Sequence, residues 1–112
     1  MAVLAFAVPI QPGHTDEVRG LRADLDRRGF WDRYHELNRL AGLRRHMEWV
    51  ETTPSGDLLL VLFETDTPEK LGRPFGDDDY DRWWVDRFKR VHGFDPAEPG
   101  PPPVQTFAWS EN

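Results

Sequence analysis

Residues 42–51 read Gly-Leu-Arg-Arg-His-Met-Glu-Trp-Val-Glu. Glycine commonly follows the end of a helix, so Gly42 predicts that a strand begins at Leu43. Side chains alternate between the faces of a strand, and strict alternation groups Arg44, His46 and Glu48. The other face then carries the apolar members, Leu43, Met47 and Trp49. If the apolar set packs beneath helices, the polar set points towards the opposite side of the sheet.

The composition indicates one small domain that covers residues 1–112. Only 38% of the residues are hydrophobic, but five tryptophans can each bury a large area, so a core is possible. The formal charge of −6 disfavours a nucleic acid or an anionic membrane as a partner. The absence of cysteine excludes disulfides and thiolate metal sites.

The first apolar run predicts a strand rather than a targeting or membrane segment. Residues 3–8 are continuously apolar, and Pro9 ends the run well short of membrane-span length. No basic flank precedes it, and we therefore expect a cytoplasmic protein. Leu4, Phe6 and Val8 form the bulky face, which we expect to fill the core beneath the helices.

Helical spacing follows from Thr15, which we predict to be the N-cap. Val18, Leu21 and Leu25 form a first apolar stripe, and a second begins with Phe30 and Tyr34. Gly29 lies between the stripes and predicts either one long bent helix or two helices that meet there.

The second half of the chain contains the remaining strands and a further helix. A turn at 53–57 should join the strand of residues 43–52 to a central strand at 58–63. Pro68 predicts a single helical turn. The next helix has an apolar stripe and ends at Gly93; the stripe is Tyr80, Trp84, Phe88 and Val91. After the proline-rich residues 95–103, residues 104–109 predict the last strand.

The predicted order β-α-β-β-α-β indicates an α+β, ferredoxin-like fold. This fold has a four-stranded antiparallel sheet with both helices on one face. The other face would expose apolar residues such as those of the 58–63 strand, so we expect a homodimer whose open sheet faces turn inward.

The most promising chemistry lies in the pair of His46 and Glu48. A histidine beside a carboxylate can act as a general acid or base near neutral pH, and Arg44 would then stabilise an oxyanion. The alternative is a solvated or interfacial polar row on an edge strand, where charges discourage aggregation. Aromatic and histidine residues are the candidates for the walls of a pocket: Tyr34, His35, Trp49, Trp83 and Trp109.

Other histidines have simpler interpretations. His35 is equally consistent with a half-buried helix residue, and His92 with a cation at a helix C-terminus. No two histidines have ligand spacing on one element, so we predict neither a metal nor a cofactor.

The chain resembles the dimeric α/β-barrel superfamily, which includes antibiotic-biosynthesis monooxygenases and small polyketide cyclases. Residues 42–51 followed by 55–64 carry this resemblance. Residues 52–58 and 90–95 are similar to a small uncharacterised family of actinobacterial type, which often has an acidic residue where His46 stands. The haem-degrading members use an Asn, a Trp and an axial His, a combination that these motifs do not match.

The resemblance implies a dimer that binds a small apolar or aromatic molecule and catalyses a cofactor-free step of specialised metabolism. Cyclisation, proton transfer and oxygenation are the reaction types implied. The alternative is a non-catalytic ligand-binding or purely structural homodimer.

Overall fold

Three antiparallel strands and four α-helices form the part of the chain that the computed structural model describes, which is residues 1–71, 75–98, 100 and 103–111. In chain order they are β1 (Ala2–Pro9), α1 (Thr15–Arg19), α2 (Leu21–Arg28), α3 (Trp31–Leu40), β2 (Leu43–Thr53), β3 (Gly56–Thr65) and α4 (Asp79–His92). A 3₁₀ turn covers Pro68–Lys70, where a helical turn was predicted. Of the predicted proline-rich loop, residues 99, 101 and 102 lie outside the described residues.

The most apolar segment, β3, is the central strand, as its sequence predicts. It pairs antiparallel with β1 on one side and with β2 on the other. Val61 lies opposite Phe6 of β1 and Glu48 of β2, so these three side chains share one face of the sheet.

The helices in the described part of the chain cover this face. Val18 of α1 and Val91 of α4 pack with Leu59 and Val61 of β3 in one buried cluster, and Phe6 packs against it. The bulky face of β1 therefore points into the core, as predicted.

The first helical region is broken twice. Gly29 adopts a left-handed φ of 72° and ends α2, which confirms the predicted break. A second break at Gly20 separates α1 from α2. Thr15 is not the N-cap that we predicted, because its hydroxyl donates to Asp57 Oδ2 at 2.6 Å and ties α1 to the β2–β3 turn.

Helix α4 begins and ends where its sequence predicts. The Asp78 carboxylate accepts a hydrogen bond from the Asp81 N–H at 2.8 Å, and Gly93 ends the helix with a φ of 82°. Tyr80 and Val91 of the predicted stripe are buried.

A β-bulge reverses the predicted faces of β2. The register shifts between Leu43 and Arg45, so Leu43 lies on the helix side opposite Thr65, and His46 lies on the same side opposite Phe63. Met47 and Trp49 point to the open face, and the prediction that they pack beneath the helices is wrong. Strict alternation failed because Arg44 is the extra residue of the bulge.

The open face is largely apolar, and none of the described helices covers it. Ala5 and Ala7 of β1 lie opposite Leu62 and Leu60 of β3, which in turn lie opposite Met47 and Trp49. Trp49 is 50% exposed. No described helix is long and apolar enough to cross a bilayer.

The predicted last strand is wrong for the single chain. Residues 103–111 have no strand structure and are exposed throughout, so the described sheet has three strands rather than four. Alternating large and small residues favour an extended backbone, but a strand also requires a neighbouring strand for its hydrogen bonds.

Candidate functional site

Three polar side chains form a hydrogen-bonded chain on the helix-covered face of the sheet. His46 Nδ1 lies 2.6 Å from Tyr34 Oη, and His46 Nε2 lies 2.9 Å from Glu48 Oε2. An ionised carboxylate only accepts hydrogen bonds, so Nε2 carries the proton that it shares with Glu48. When His46 is neutral, Nδ1 accepts from the Tyr34 hydroxyl; when His46 is protonated, Nδ1 donates to it. The chain therefore joins three groups that can each exchange a proton.

Local structure explains why these groups meet. His46 and Glu48 are two residues apart on β2, so they project from the same face. Tyr34 reaches them from α3, where its ring stacks on Trp31 with centroids 5.5 Å apart. The side chains of His46 and Glu48 are only 10% and 22% exposed. Packing thus holds the three hydrogen-bonded side chains in one geometry with limited access to water.

Burial raises the pKa of Tyr34 above its ordinary value, and the negative charge of Glu48 raises it further. A hydrogen bond with Asn38 opposes both effects but does not cancel them. The phenol is therefore protonated at neutral pH, and Tyr34 is suited to donate a proton rather than to remove one.

Two clefts meet at His46 and Glu48. One, of about 490 Å³, lies beside α1, α2 and α3, and its lining includes Trp31, Tyr34, Arg19 and Arg22. The other, of about 450 Å³, lies against α4 and has a mainly apolar lining that includes several aromatic rings. The polar pair is therefore accessible from both sides of the layer between the sheet and the helices.

Arg44 and His35 do not join this chain. Arg44 is exposed, and its guanidinium binds Asp66 Oδ2 at 2.6 Å, which turns it away from the predicted oxyanion role. His35 is exposed on α3, and its ring meets the Trp31 ring edge to face at 4.6 Å. Both border a further cleft, of about 390 Å³, that His46 also lines.

The three predicted tryptophans are scattered. Trp49 lies on the open face, although some of its atoms also border the larger cleft. Trp83 packs against Phe30 at 5.5 Å, and its neighbour Trp84 is the tryptophan that lines the α4 cleft. Trp109 is 77% exposed in the C-terminal segment.

Two further residues of the α4 cleft are not among the candidate site residues that the sequence predicts. Arg87 and His92 are buried and line the cleft together with Glu48. His92 does lie at the C-terminus of α4, but it is buried there: burial lowers its pKa, and the hydrogen bond from its Nδ1 to the Pro9 carbonyl at 2.8 Å only partly offsets this. Helical spacing in the sequence could have indicated both residues. Arg87 lies three positions after Trp84 and His92 lies four positions after Phe88, and residues at these spacings are neighbours on a helix surface.

The described part of the chain contains no group of three or more histidine, aspartate or glutamate side chains placed to hold a metal ion. His46 and Glu48 are a pair without a third such ligand. The chemistry that the described geometry itself supports is acid–base chemistry at the Tyr34–His46–Glu48 chain.

Comparison with known proteins gives a match in structure and none in sequence. No protein-family model matches the chain, and no curated protein sequence matches it. The crystal structure of the L-rhamnose mutarotase FA22100 from Formosa agariphila superposes with a TM-score of 0.68 at 13% sequence identity. The match covers 99% of this chain and 100% of the mutarotase chain. At this level of identity the likeness shows a shared α+β fold, and it supports neither the monooxygenase nor the cyclase resemblance.

Proposed function

We propose that this protein catalyses cofactor-free proton transfer on a small, largely apolar or aromatic molecule that carries an oxygen function. The observation that carries the proposal is the bridging position of His46 between Tyr34 and Glu48. Such a chain can remove one proton and supply another, which is the requirement of a tautomerisation.

We assign the roles from the hydrogen bonds. Both ring nitrogens of His46 are occupied, so Glu48 and Tyr34 are the groups that contact the substrate. In the reactive form Glu48 is ionised and His46 is protonated. A free oxygen of Glu48 accepts the substrate proton, the electron pair moves to the substrate oxygen, and Tyr34 donates a proton to that oxygen. Tyr34 regains a proton from His46 Nδ1, and proton return from Glu48 to His46 through water completes the cycle.

Cyclisation and oxygenation, the other reaction types implied by the resemblance, also begin when a base removes a proton. The chain of three residues supplies that first step for all three. Proton transfer is the reaction that the described residues complete by themselves, and we therefore choose it over the others. Arg44 has no part in this proposal because its charge is engaged by Asp66.

The test is hydrogen–deuterium exchange at carbon, followed by NMR in D₂O. Small aromatic ketones with acidic C–H bonds are suitable probes, with wild-type protein and His46→Ala compared at equal concentration. We expect wild-type protein to accelerate exchange and the variant to lose the acceleration. If wild-type protein binds the probes without accelerating exchange, it is a non-catalytic binding protein and the proposal is wrong.

A second candidate reaction is the interconversion of sugar anomers. The cleft beside α1, α2 and α3 combines the tryptophan and tyrosine rings with two arginines, a lining that suits a polyhydroxylated ring. The structural match is a protein named as an L-rhamnose mutarotase, so L-rhamnose is the first sugar to assay. Polarimetry with L-rhamnose distinguishes this candidate from the first, because the ketone probes carry no anomeric centre.

We also propose that the protein is a homodimer joined through its open sheet faces. The exposed C-terminal segment carries Val104, Phe107 and Trp109, which are 82%, 80% and 77% exposed. Side chains of this size are rarely left in water together, and a second copy offers both an uncovered apolar face and open strand edges. We assign the predicted last strand to the sheet of the partner copy.

Sedimentation at micromolar concentration tests the dimer. We expect a particle of twice 13.1 kDa, and removal of residues 103–112 should weaken the association. A monomer of 13.1 kDa at these concentrations would contradict the proposal.

A further inference from the structure

The cleft against α4 has an aromatic wall and a polar end. Six rings line it: Phe6, Phe63, Phe75, Trp84, Phe88 and Phe94. Its polar members are His46, Glu48, Arg87 and His92. A volume of about 450 Å³ is sufficient for a molecule of one or two rings.

Arg87 is the unusual residue among the polar members of this cleft. It is only 6% exposed, and its one described hydrogen bond runs from Nη2 to the Glu17 carbonyl at 2.9 Å. Its Nε–H group is buried and has no hydrogen-bond acceptor among the described residues. Burial lowers the pKa of the guanidinium, yet arginine remains charged in proteins. A buried donor without an acceptor is costly, and such donors are rare in folded proteins.

The nearby carboxylates do not neutralise Arg87 by direct contact. Glu17 forms its ion pair with Arg90, and Glu48 binds His46 at 2.9 Å. Both carboxylates favour the charged form of Arg87 from a distance. The rings of Trp83 and Trp84, at 6.0 and 5.9 Å from the guanidinium carbon, stabilise the cation only in part. The charge of Arg87 is therefore available to a ligand in the cleft.

His92 adds an acceptor to the same cleft. Its Nδ1 donates to the Pro9 carbonyl, which leaves the lone pair of neutral His92 on Nε2. Phe88, one turn earlier on α4, holds the ring at a centroid distance of 4.6 Å. A ligand hydroxyl can therefore be recognised beside an anionic oxygen.

We propose that the α4 cleft binds small aromatic acids, with the anionic oxygen at Arg87 and the ring system against the aromatic wall. The inference rests on the proposed function and deepens it, because an acid held at Arg87 places its ring next to Glu48. It names the substrate class as an aromatic carboxylate, in preference to a neutral apolar molecule.

The test compares each acid with its own amide, which has the same shape and no charge. We use 2-naphthoate and 2-naphthamide, with isothermal titration calorimetry on the full chain. A hydrogen bond to a charged partner should make the acid bind wild-type protein roughly tenfold more tightly than the amide. In Arg87→Gln the two affinities should become equal.

Arg82→Gln is the matched control, because Arg82 lies on the same helix and is exposed, with its guanidinium paired to Asp79 at 3.2 Å. This variant should keep the wild-type preference for the acid. If Arg87→Gln does not fold, as judged by circular dichroism, the comparison of acid and amide on wild-type protein still decides the matter. Equal affinities, or no binding by either compound at about 5 mM, would overturn the proposal.

The result of this binding test can be distinguished from the result of the exchange test of the proposed function. His46→Ala should lose the acceleration of exchange but keep the preference for 2-naphthoate. Catalysed exchange without a preference for the acid would reject the role of Arg87 alone. A preference for the acid without catalysed exchange would reject the catalytic proposal alone.

Discussion

The two faces of the sheet differ, and each has one feature that the core of a small monomeric domain does not require. The face beneath the helices carries Glu48 and His46, and His46 is also hydrogen-bonded to Tyr34. Apolar side chains at these positions would be sufficient for packing. The face without a cover carries Leu60, Leu62 and two alanines of β1. A polar pair is therefore enclosed in an otherwise apolar layer, and apolar side chains are left open on the other face.

This difference indicates what each face is for. Burial of a charged or polar pair costs free energy that folding alone does not recover, so such a pair is best explained by function. An uncovered apolar face is best explained by association. We accordingly assign chemistry to the covered face and assembly to the open face.

The largest effect should come from the covered face. Replacing His46 with alanine breaks the link between Glu48 and Tyr34, and the rate of probe exchange should fall by roughly 10²–10⁴-fold. Met47 is the neighbour of His46 on the opposite face, and Met47→Ala should leave the rate within about twofold of wild type. Equal losses in the two variants would show that the faces are not functionally distinct.

The next effect concerns the open face. Leu60→Glu places a charge at the centre of that face, and the dimer dissociation constant should rise by roughly 100-fold or more. Sedimentation equilibrium measures this constant. Thr52→Glu, an exposed change near the end of β2, is the control and should leave the constant nearly unchanged. A dimer that tolerates Leu60→Glu must be formed through another surface.

A smaller loss is expected from Tyr34→Phe. The variant keeps the ring that stacks on Trp31 and removes only the hydroxyl that His46 binds. The rate should fall by roughly 10- to 100-fold, with little change in the thermal midpoint. If the rate is unchanged, Tyr34 is not the proton donor.

The smallest effect is a pH dependence of stability. Burial lowers the pKa of His92 from its ordinary 6.5, so the unfolded chain binds a proton more readily than the folded chain. The free energy of unfolding should therefore decrease as the pH falls below 6.5, by at most about 1.4 kcal/mol per pH unit. Urea titrations between pH 7.5 and 5 measure the slope, and His92→Gln should reduce it. A slope that is the same in the variant would mean that other groups cause it.

The elements themselves were predictable because their patterns are local. Gly29 and Gly93 mark helix ends through backbone geometry, and the stripe from Tyr80 to Val91 follows helical spacing. The continuous apolar run of β3 predicted its central position.

The errors arose where the outcome depends on distant parts of the chain. The bulge at Arg44 has no local signal, yet it decides which residues of β2 face the helices. The segment of residues 104–109 has strand composition, but it pairs with no described strand of the single chain. The pairing of His46 with Glu48 follows from alternation, whereas the contact with Tyr34 required the packing of α3 on β2.

We assign the polar Tyr34–His46–Glu48 chain of the covered face to chemistry rather than to folding. The most direct measurement is the free energy of unfolding of the triple variant Tyr34→Phe, His46→Phe and Glu48→Met, determined by urea denaturation. The variant removes all three partners together and leaves none of them unpaired, so the free energy of unfolding should equal or exceed that of wild-type protein. A decrease of more than about 2 kcal/mol would show that the three hydrogen-bonded side chains stabilise the fold, and it would contradict their assignment to chemistry.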